Sequence, residues 1–137
     1  MNAESLVHAA REAAARAYCP YSSYPVGAAV LTRDGRVFTG CNVENVSYGL
    51  SNCAERTALF KAVSEGCREF SALAVAGGGK RAASPCGACR QVLAEFCAPE
   101  TPVFIAPLNG GRVRETTVGA LLPDAFGQEK GERRKKT

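Results

Sequence analysis

The sequence contains no long hydrophobic run and almost no histidine. No apolar stretch approaches the roughly 18 to 20 residues that cross a membrane, so no membrane span is expected. The N-terminus carries Asn2, Glu4 and His8 where a secretory signal would have an apolar core, which favours the cytoplasm. His8 is the only histidine and lies far from the cysteine motifs, so imidazole is a poor source of a metal ligand here.

Net positive charge is also small outside one segment. The formal net charge of the chain is +4, and the five cations and two anions of residues 128–137 account for most of it. A nucleic-acid surface would place basic groups on the folded body among aromatic residues, so no nucleic-acid partner is expected. The length fits one domain. We predict a single domain over residues 1–127 and a basic, disordered tail over residues 128–137.

Hydrophobic patterning predicts alternating helices and strands. Apolar and small residues at helical spacing predict helices over 4–18, from 53 to about 65, over 84–97 and over 118–122. β-branched and apolar runs predict strands over 26–32, 36–42, 71–76, 102–107 and 112–115. We expect Ser51 or Asn52 to cap the second helix, and Ser84 to cap the third with Pro85 at its first position. This order predicts one α/β domain, a sheet covered by helices.

Cysteine, unlike histidine, is abundant, with seven residues. An odd number without a secretory signal argues against a disulfide framework. Cys86 and Cys89 are three residues apart at a predicted helix start, and Cys53 begins another helix, where partial positive charge stabilises thiolates. Three thiolates on a tetrahedral ion leave one position for water, which is typical of catalytic zinc. The seven are Cys19, Cys41, Cys53, Cys67, Cys86, Cys89 and Cys97.

A Cys-x-x-Cys pair alone has other interpretations. It is also typical of a redox pair or of two small buried residues, and a structural zinc domain would need a fourth protein ligand. The Pro-Cys-x-x-Cys motif together with an upstream Cys-x-Glu favours one Zn²⁺ per chain, held by Cys53, Cys86 and Cys89. The four other cysteines are expected in the core.

Two residues beside Cys53 add to the zinc hypothesis. Glu55 precedes the apolar positions of its helix by three, four, seven and eight residues, so it falls on the buried face. A carboxylate there is costly to bury unless it is paired or needed, and beside a water on zinc it would act as the proton shuttle. Arg56 would donate to a thiolate and offset the negative charge of the three sulfurs. An acid in the first helical turn and an exposed helix arginine are the plainer interpretations.

The motifs resemble those of the small homotetrameric cytidine deaminases of the cytidine and deoxycytidylate deaminase family. Zinc deaminases carry His-x-Glu or its cysteine variant, followed by Pro-Cys-x-x-Cys. The resemblance covers nearly the whole chain. Its motifs are Pro20-Tyr21-Ser22 before Val26-Gly27-Ala28-Ala29, Gly40-Cys41-Asn42-Val43-Glu44-Asn45, Cys53-Ala54-Glu55-Arg56-Thr57-Ala58, Ser84-Pro85-Cys86-Gly87-Ala88-Cys89-Arg90-Gln91 and Leu121-Leu122-Pro123-Asp124-Ala125-Phe126.

The resemblance implies a three-layer α/β/α sandwich with a mixed five-stranded sheet, and a catalytic domain over residues 1–127. It implies hydrolytic deamination of free cytidine and 2′-deoxycytidine in pyrimidine salvage by zinc-bound hydroxide. It further implies a homotetramer whose active sites are shared between subunits.

Individual roles also follow from the resemblance. Asn42 and Glu44 would bind the sugar 3′-hydroxyl, the backbone of Ala54 the base carbonyl, and the backbone of Ser84 the leaving amine. Tyr48 and Phe126 would enter a neighbouring subunit's site. Tyr24 stands where the family usually has a phenylalanine stacked on the base.

Three other functions compete with this interpretation. The Tyr24 hydroxyl leaves open a deaminase of another amino-base, such as blasticidin S or a modified cytosine nucleoside. A structural zinc domain that binds a partner protein would have four protein ligands and no buried glutamate. A polynucleotide deaminase is disfavoured because residues 1–127 are nearly neutral.

Overall fold

Helices and strands follow one another in the order that the hydrophobic patterning predicts. The computed structural model describes residues 1–79 and 81–127, so the predicted tail over 128–137 lies outside the described residues. The elements are α1 (Ala3–Ala14), β1 (Val26–Thr32), β2 (Val37–Cys41), α2 (Ala54–Ser64), β3 (Phe70–Gly77), α3 (Gly87–Phe96), β4 (Pro102–Ala106), β5 (Arg114–Thr117) and α4 (Val118–Leu121), with a 3₁₀ turn at Tyr48–Leu50.

The five strands form one sheet in the order β2-β1-β3-β4-β5. β3 and β4 are parallel, because α3 carries the chain back across the sheet between them, and the other neighbours are antiparallel. A turn at Asp34-Gly35 joins β1 to β2, with Gly35 at φ +92°. The predicted mixed five-stranded sheet is confirmed.

Helices cover both faces of the sheet, so the expected three-layer α/β/α sandwich is also confirmed. α1 packs on one face through Leu6, Val7 and Ala10, against small side chains such as Ala29 and Ala74. The other face carries the larger strand residues Val30, Leu73, Val75, Val103 and Ile105, which cluster with Leu59 of α2, Leu93 of α3, and Val118 and Leu121 of α4. None of the helices in the described part of the chain has the length and apolar character that a bilayer-crossing helix needs.

Two glycines let helices lie directly on strands. A Cβ at Gly27 of β1 would lie 2.0 Å from the Ala10 carbonyl oxygen of α1. A Cβ at Gly40 of β2 would lie 2.4 Å from the Ala58 nitrogen of α2. These distances are far below ordinary contact, so any side chain at either position forces its helix away from the sheet. Gly40 therefore sets the position of α2, which carries Glu55 and Arg56.

The predicted capping residues of α2 and α3 are wrong by one or two positions. Cys53 and Cys86 are the N-caps, neither with a capping side-chain hydrogen bond. The expected caps bond elsewhere: Ser51 Oγ accepts from the Asn45 N–H, Asn52 Nδ2 donates to Thr57 Oγ1, and Ser84 Oγ accepts from Arg90. Pro85 precedes α3 and does not occupy its first position.

The expectation that the four remaining cysteines are core residues is half right. Cys67 and Cys97 are buried, whereas Cys19 and Cys41 are half-buried. β5 begins at Arg114, two residues later than predicted. The glycines at 110 and 111 both adopt positive φ, which prolongs the turn before it.

Candidate active site

Three cysteine sulfurs meet where two helices begin. Cys53 and Cys86 cap α2 and α3, and Cys89 lies in the first turn of α3. The Sγ atoms of Cys53 and Cys86 are 3.7 Å apart, and those of Cys86 and Cys89 are 3.4 Å apart. All three sulfurs lie within 4.8 Å of one another. The sequence predicts this trio, and the fold brings it together.

The spacing and chemistry of the cluster fit zinc. Sulfurs about 2.3 Å from a tetrahedral Zn²⁺ lie about 3.8 Å from one another, close to the observed separations. Thiolates are also soft donors, which bind zinc in preference to harder cations. His8 lies on α1 and pairs with Glu12 at 3.0 Å, so it supplies no fourth ligand. A tetrahedral ion at the cluster therefore has one position left for a small molecule.

Glu55 lies beside the cluster in the first turn of α2. Only 5% of its surface is exposed, which confirms the predicted placement on the buried face. Burial raises the pKa of its carboxyl to about 7. An acid with a pKa near neutrality can both accept and donate a proton, which is the property required of a shuttle.

Arg56 also contacts the cluster. Its Nη2 donates to Cys53 Sγ at 3.2 Å, and this hydrogen bond raises the pKa of the guanidinium. Hydrogen bonding with Cys89, reinforced by Arg56, lowers the pKa of the Cys53 thiol to about 5 against the cost of burial. The predicted contact between Arg56 and a sulfur is thus present. Among the described residues its buried Nε has no hydrogen-bond partner.

A cavity of about 320 Å³ opens above the cluster. Cys89 lies fully buried below it. Eight of the predicted site residues line this cavity, with four others. The lining residues are Ser22, Tyr24, Val26, Asn42, Glu44, Cys53, Ala54, Glu55, Val75, Ala83, Ser84 and Cys86.

Asn42 and Glu44 anchor the loop that forms one side of the cavity. Asn42 Oδ1 accepts from the Val26 N–H at 2.9 Å, and its Nδ2 donates to the Tyr24 carbonyl at 2.9 Å. Glu44 Oε1 accepts from the N–H groups of Tyr21 and Ser22, both at 3.1 Å. These bonds leave one Nδ2 hydrogen of Asn42 and further carboxylate lone pairs of Glu44 for a ligand.

Ser22 is a cavity residue that sequence reasoning missed. Its hydroxyl donates to Glu44 Oε2, and its Oγ also accepts from the Tyr24 N–H. The hydrogen bond from the Ser22 hydroxyl is the main cause that lowers the pKa of Glu44, which favours the ionised carboxylate. The signal was the Pro20-Tyr21-Ser22 motif, whose serine gains its role only when the loop folds back on Glu44. Val26, Val75 and Ala83 were also missed, because strand and loop residues of this kind are ordinarily core.

The Tyr24 hydroxyl points toward a glycine. A Cβ at Gly78 would lie 2.7 Å from this hydroxyl, so the end of the ring rests on the Gly78 backbone. Gly78 is absent from the cavity lining, which includes Tyr24 itself. The phenol oxygen is thus seated against the loop that follows β3.

Tyr48 and Phe126 do not reach this cavity. Tyr48 is 75% exposed and stacks edge-on against Tyr21, their ring centroids 6.3 Å apart. Phe126 is 88% exposed, near the end of the described chain. Within one chain, neither ring lines the cavity above the cysteines.

Comparison with known proteins decides the family. Residues 1–105 match the model of the "Cytidine and deoxycytidylate deaminase zinc-binding region". The chain belongs to the cytidine and deoxycytidylate deaminase family. The match spans all three clustered cysteines, Glu55 and every residue of the cavity lining.

Relatives in this family are similar over nearly their whole lengths. A cytidine deaminase of Sporosarcina psychrophila is 54% identical over 129 residues, covering 94% of each chain. The crystal structure of a cytidine deaminase from Burkholderia pseudomallei superposes with a TM-score of 0.88 at 54% identity, covering 92% of this chain and 100% of that one. A blasticidin-S deaminase of Bacillus cereus is 31% identical over 110 residues, covering 74% of this chain and 76% of the relative.

Proposed function

We propose that this family member hydrolyses the 4-amino group of free cytidine and 2′-deoxycytidine, giving uridine or 2′-deoxyuridine and ammonia in pyrimidine salvage. The carrying observation is buried Glu55 beside three clustered cysteines at the base of a nucleoside-sized cavity. The 54% identity to a cytidine deaminase over 94% of the chain supports the same substrate class.

Cys53, Cys86 and Cys89 would hold one Zn²⁺. When bound, zinc supplies a Lewis acid that lowers the pKa of a water toward neutrality. The hydrogen bond from Arg56 to Cys53 Sγ withdraws electron density from the thiolate, so less negative charge opposes ionisation of that water.

Glu55 moves the protons of the reaction. Its carboxylate takes a proton from water as the water oxygen bonds to C4 of the base, and gives a proton to the ring nitrogen N3. It then takes the second proton of that oxygen and delivers it to the 4-amino group. The C4–N bond breaks, ammonia leaves and a carbonyl remains. Burial favours this role because it holds the pKa of Glu55 near the working pH.

The cavity lining supplies the binding groups of the proposal. Tyr24 presents a ring on which a pyrimidine can stack. Asn42 and Glu44, which line the same cavity, would bind the 3′-hydroxyl with their remaining donor and acceptor capacity. The backbones of Ala54 and Ser84 would contact the base carbonyl and the leaving amine.

The active form of the enzyme is proposed to be a homotetramer whose subunits share active sites. Tyr48 and Phe126 are exposed aromatic residues that lie outside their own chain's cavity. Aromatic side chains are enriched at protein interfaces, so this exposure favours a covering partner. In the tetramer both rings would complete the cavity of a neighbouring subunit, so a dissociated monomer would be inactive.

A second substrate class has two observations in its favour. A blasticidin-S deaminase is among the relatives, and Tyr24 carries a hydroxyl where the family usually has a bare ring. The hydroxyl rests on Gly78 and not over the cysteines, which leaves the stacking face of the ring unchanged. The higher identity to a cytidine deaminase also favours the nucleoside.

Residues 1–127 form the proposed catalytic domain, and the cytoplasm is its proposed location. None of the seven cysteines forms a disulfide bond, which is typical of a reducing compartment.

One experiment tests the proposal. Loss of cytidine ultraviolet absorbance is measured on the purified chain, with zinc content determined in the same sample. Turnover with about one zinc per chain supports the proposal. If the chain holds zinc and deaminates blasticidin S but neither cytidine nor deoxycytidine, the proposed substrate is wrong and blasticidin S takes its place. In the Glu55→Gln variant we expect retained zinc and a loss of kcat of about 10²- to 10⁴-fold, whereas near-normal kcat contradicts the shuttle role.

A further inference from the structure

Arg90 joins three separate parts of the chain with one guanidinium. It follows Cys89 in α3. Its Nε donates to the Pro85 carbonyl at 2.7 Å, its Nη2 to Ser84 Oγ at 2.9 Å, and its Nη1 to the Leu121 carbonyl at 3.0 Å. Every guanidinium nitrogen thus has a partner, and all three partners lie outside the strands.

Two of these partners belong to the cavity wall segment, defined here as residues 82–86. Ala83, Ser84 and Cys86 of this segment line the cavity. Pro85 has no N–H to donate, and Arg90 takes up its carbonyl. The guanidinium therefore fixes the backbone between the residue proposed to meet the leaving amine and the sulfur of Cys86.

The third partner begins the C-terminal arm, defined as residues 121–127. Leu121 ends α4, five residues before Phe126. The residue after Arg90 holds the other end of this arm, because Gln91 Nε2 donates to the Phe126 carbonyl at 3.0 Å. Adjacent side chains of α3 thus hold the arm at both ends. Of the two, Arg90 also bonds to the cavity wall segment.

We propose that Arg90 is a positioning residue that sets the cavity wall segment and the C-terminal arm in one geometry. The inference rests on the proposed function, in which the wall serves the chain's own site and the arm serves a neighbour's. One side chain then couples the amine side of one active site to the aromatic closure of another. Arg90 touches neither substrate nor metal, and acts through Ser84, Pro85 and Leu121.

The geometry explains why an arginine is required. The three acceptors lie around a planar fork whose nitrogens point in fixed directions, an arrangement that guanidinium matches. A lysine ammonium at the same place keeps the charge but has a single nitrogen, which cannot reach three separated acceptors. Arg90→Lys therefore removes the coupling while retaining charge and most of the side-chain length.

The test compares three variants with the wild-type chain. Arg90→Lys weakens both attachments, and Gln91→Ala removes only the bond to the Phe126 carbonyl. Arg11→Lys is the matched control: Arg11 also donates to two backbone carbonyls, Pro107 at 3.1 Å and Gly110 at 2.9 Å, but neither lines the cavity. Zinc content, Tm, kcat and KM for cytidine are measured for each, together with amide hydrogen exchange of residues 82–86 and 121–127.

Arg90→Lys should accelerate exchange in both segments and reduce kcat/KM by about 10- to 100-fold, with a fall in kcat and with zinc retained. Gln91→Ala should accelerate exchange only in the arm and raise KM with kcat nearly unchanged. Arg11→Lys should lower Tm while kcat and KM stay at wild-type values. If Arg90→Lys leaves exchange in both segments unchanged, or loses activity only in proportion to lost zinc, the proposal is overturned. The exchange measurement does not need turnover, so it tests Arg90 even if cytidine proves to be the wrong substrate.

Discussion

Substituting Gly40 by alanine should separate the metal ligands from one another. The new Cβ would lie 2.4 Å from the Ala58 nitrogen and 2.8 Å from the Ala54 carbonyl oxygen, both backbone atoms of α2. Restoring ordinary contact near 3.4 Å requires α2 to retreat from the sheet by about 1 Å. Cys53 and Glu55 would move with it, while Cys86 and Cys89 stay with α3.

A movement of this size is large for a zinc site. Ligand distances must hold to within about 0.2 Å, so a 1 Å displacement of one sulfur should weaken zinc binding strongly. Misplacing Glu55 by the same amount should lower kcat by about 10²-fold even with zinc added. Overpacking of this kind costs about 1 to 3 kcal/mol in the free energy of unfolding, or a fall in Tm of roughly 4 to 12 °C.

Gly27 provides the matched control, since a Cβ there meets α1 on the opposite face of the sheet at 2.0 Å. Gly27→Ala should lower Tm at least as much, but retain zinc affinity and kcat per folded chain. A Cβ at Gly49 would meet only open space, so Gly49→Ala should leave Tm, zinc affinity and kcat unchanged. Zinc titration, thermal unfolding and cytidine turnover are measured on all three. Normal zinc affinity and normal kcat in Gly40→Ala would refute the view that strand contact sets the position of α2.

Three further predictions concern the cavity and its metal. Arg56→Gln should keep zinc but lose about 10-fold in kcat, because the donor to Cys53 Sγ weakens, and unchanged kcat with full zinc would contradict this role. Tyr24→Phe should leave kcat/KM for cytidine within about 2-fold, because the hydroxyl rests on Gly78, so a larger loss would show that the hydroxyl contacts substrate. Removing zinc with a chelator should abolish turnover and lower Tm, both restored by added zinc, and an unchanged Tm would mean that the cluster contributes no stability.

The sequence predicted the elements well because its local signals agree. The Asp34-Gly35 turn, the strand runs and the small-residue helices all carry strong signals, and all nine predicted elements are present in the described residues. The starts of α2 and α3 were misplaced because Ser51 and Ser84 are good capping residues in isolation. In the fold their hydroxyls bond to Asn45 and Arg90, which lie beyond the reach of local pattern rules.

The metal cluster was predictable for a different reason. Two cysteines one turn apart and a third at another helix start constrain the possible chemistry strongly. The anchoring of the loop at Tyr21 and Ser22 was not predictable, because it depends on Glu44 accepting hydrogen bonds from backbone groups more than twenty residues earlier in the chain. A polar residue at a strand end does not reveal by itself whether it faces a ligand or its own backbone. The structure shows that Asn42 and Glu44 both bond to the chain.

The separation of the three sulfurs along the chain also sets an order in time. Cys86 and Cys89 belong to one helical turn, so they become neighbours as soon as α3 forms. Cys53 lies 33 residues before Cys86, and all of β3 lies between them. β3 must pair with β1 and β4, which are long-range contacts that form slowly, before the third sulfur is held in place. We therefore expect a newly synthesised chain to hold a metal ion loosely through two sulfurs, and to bind it tightly only when the sheet is complete.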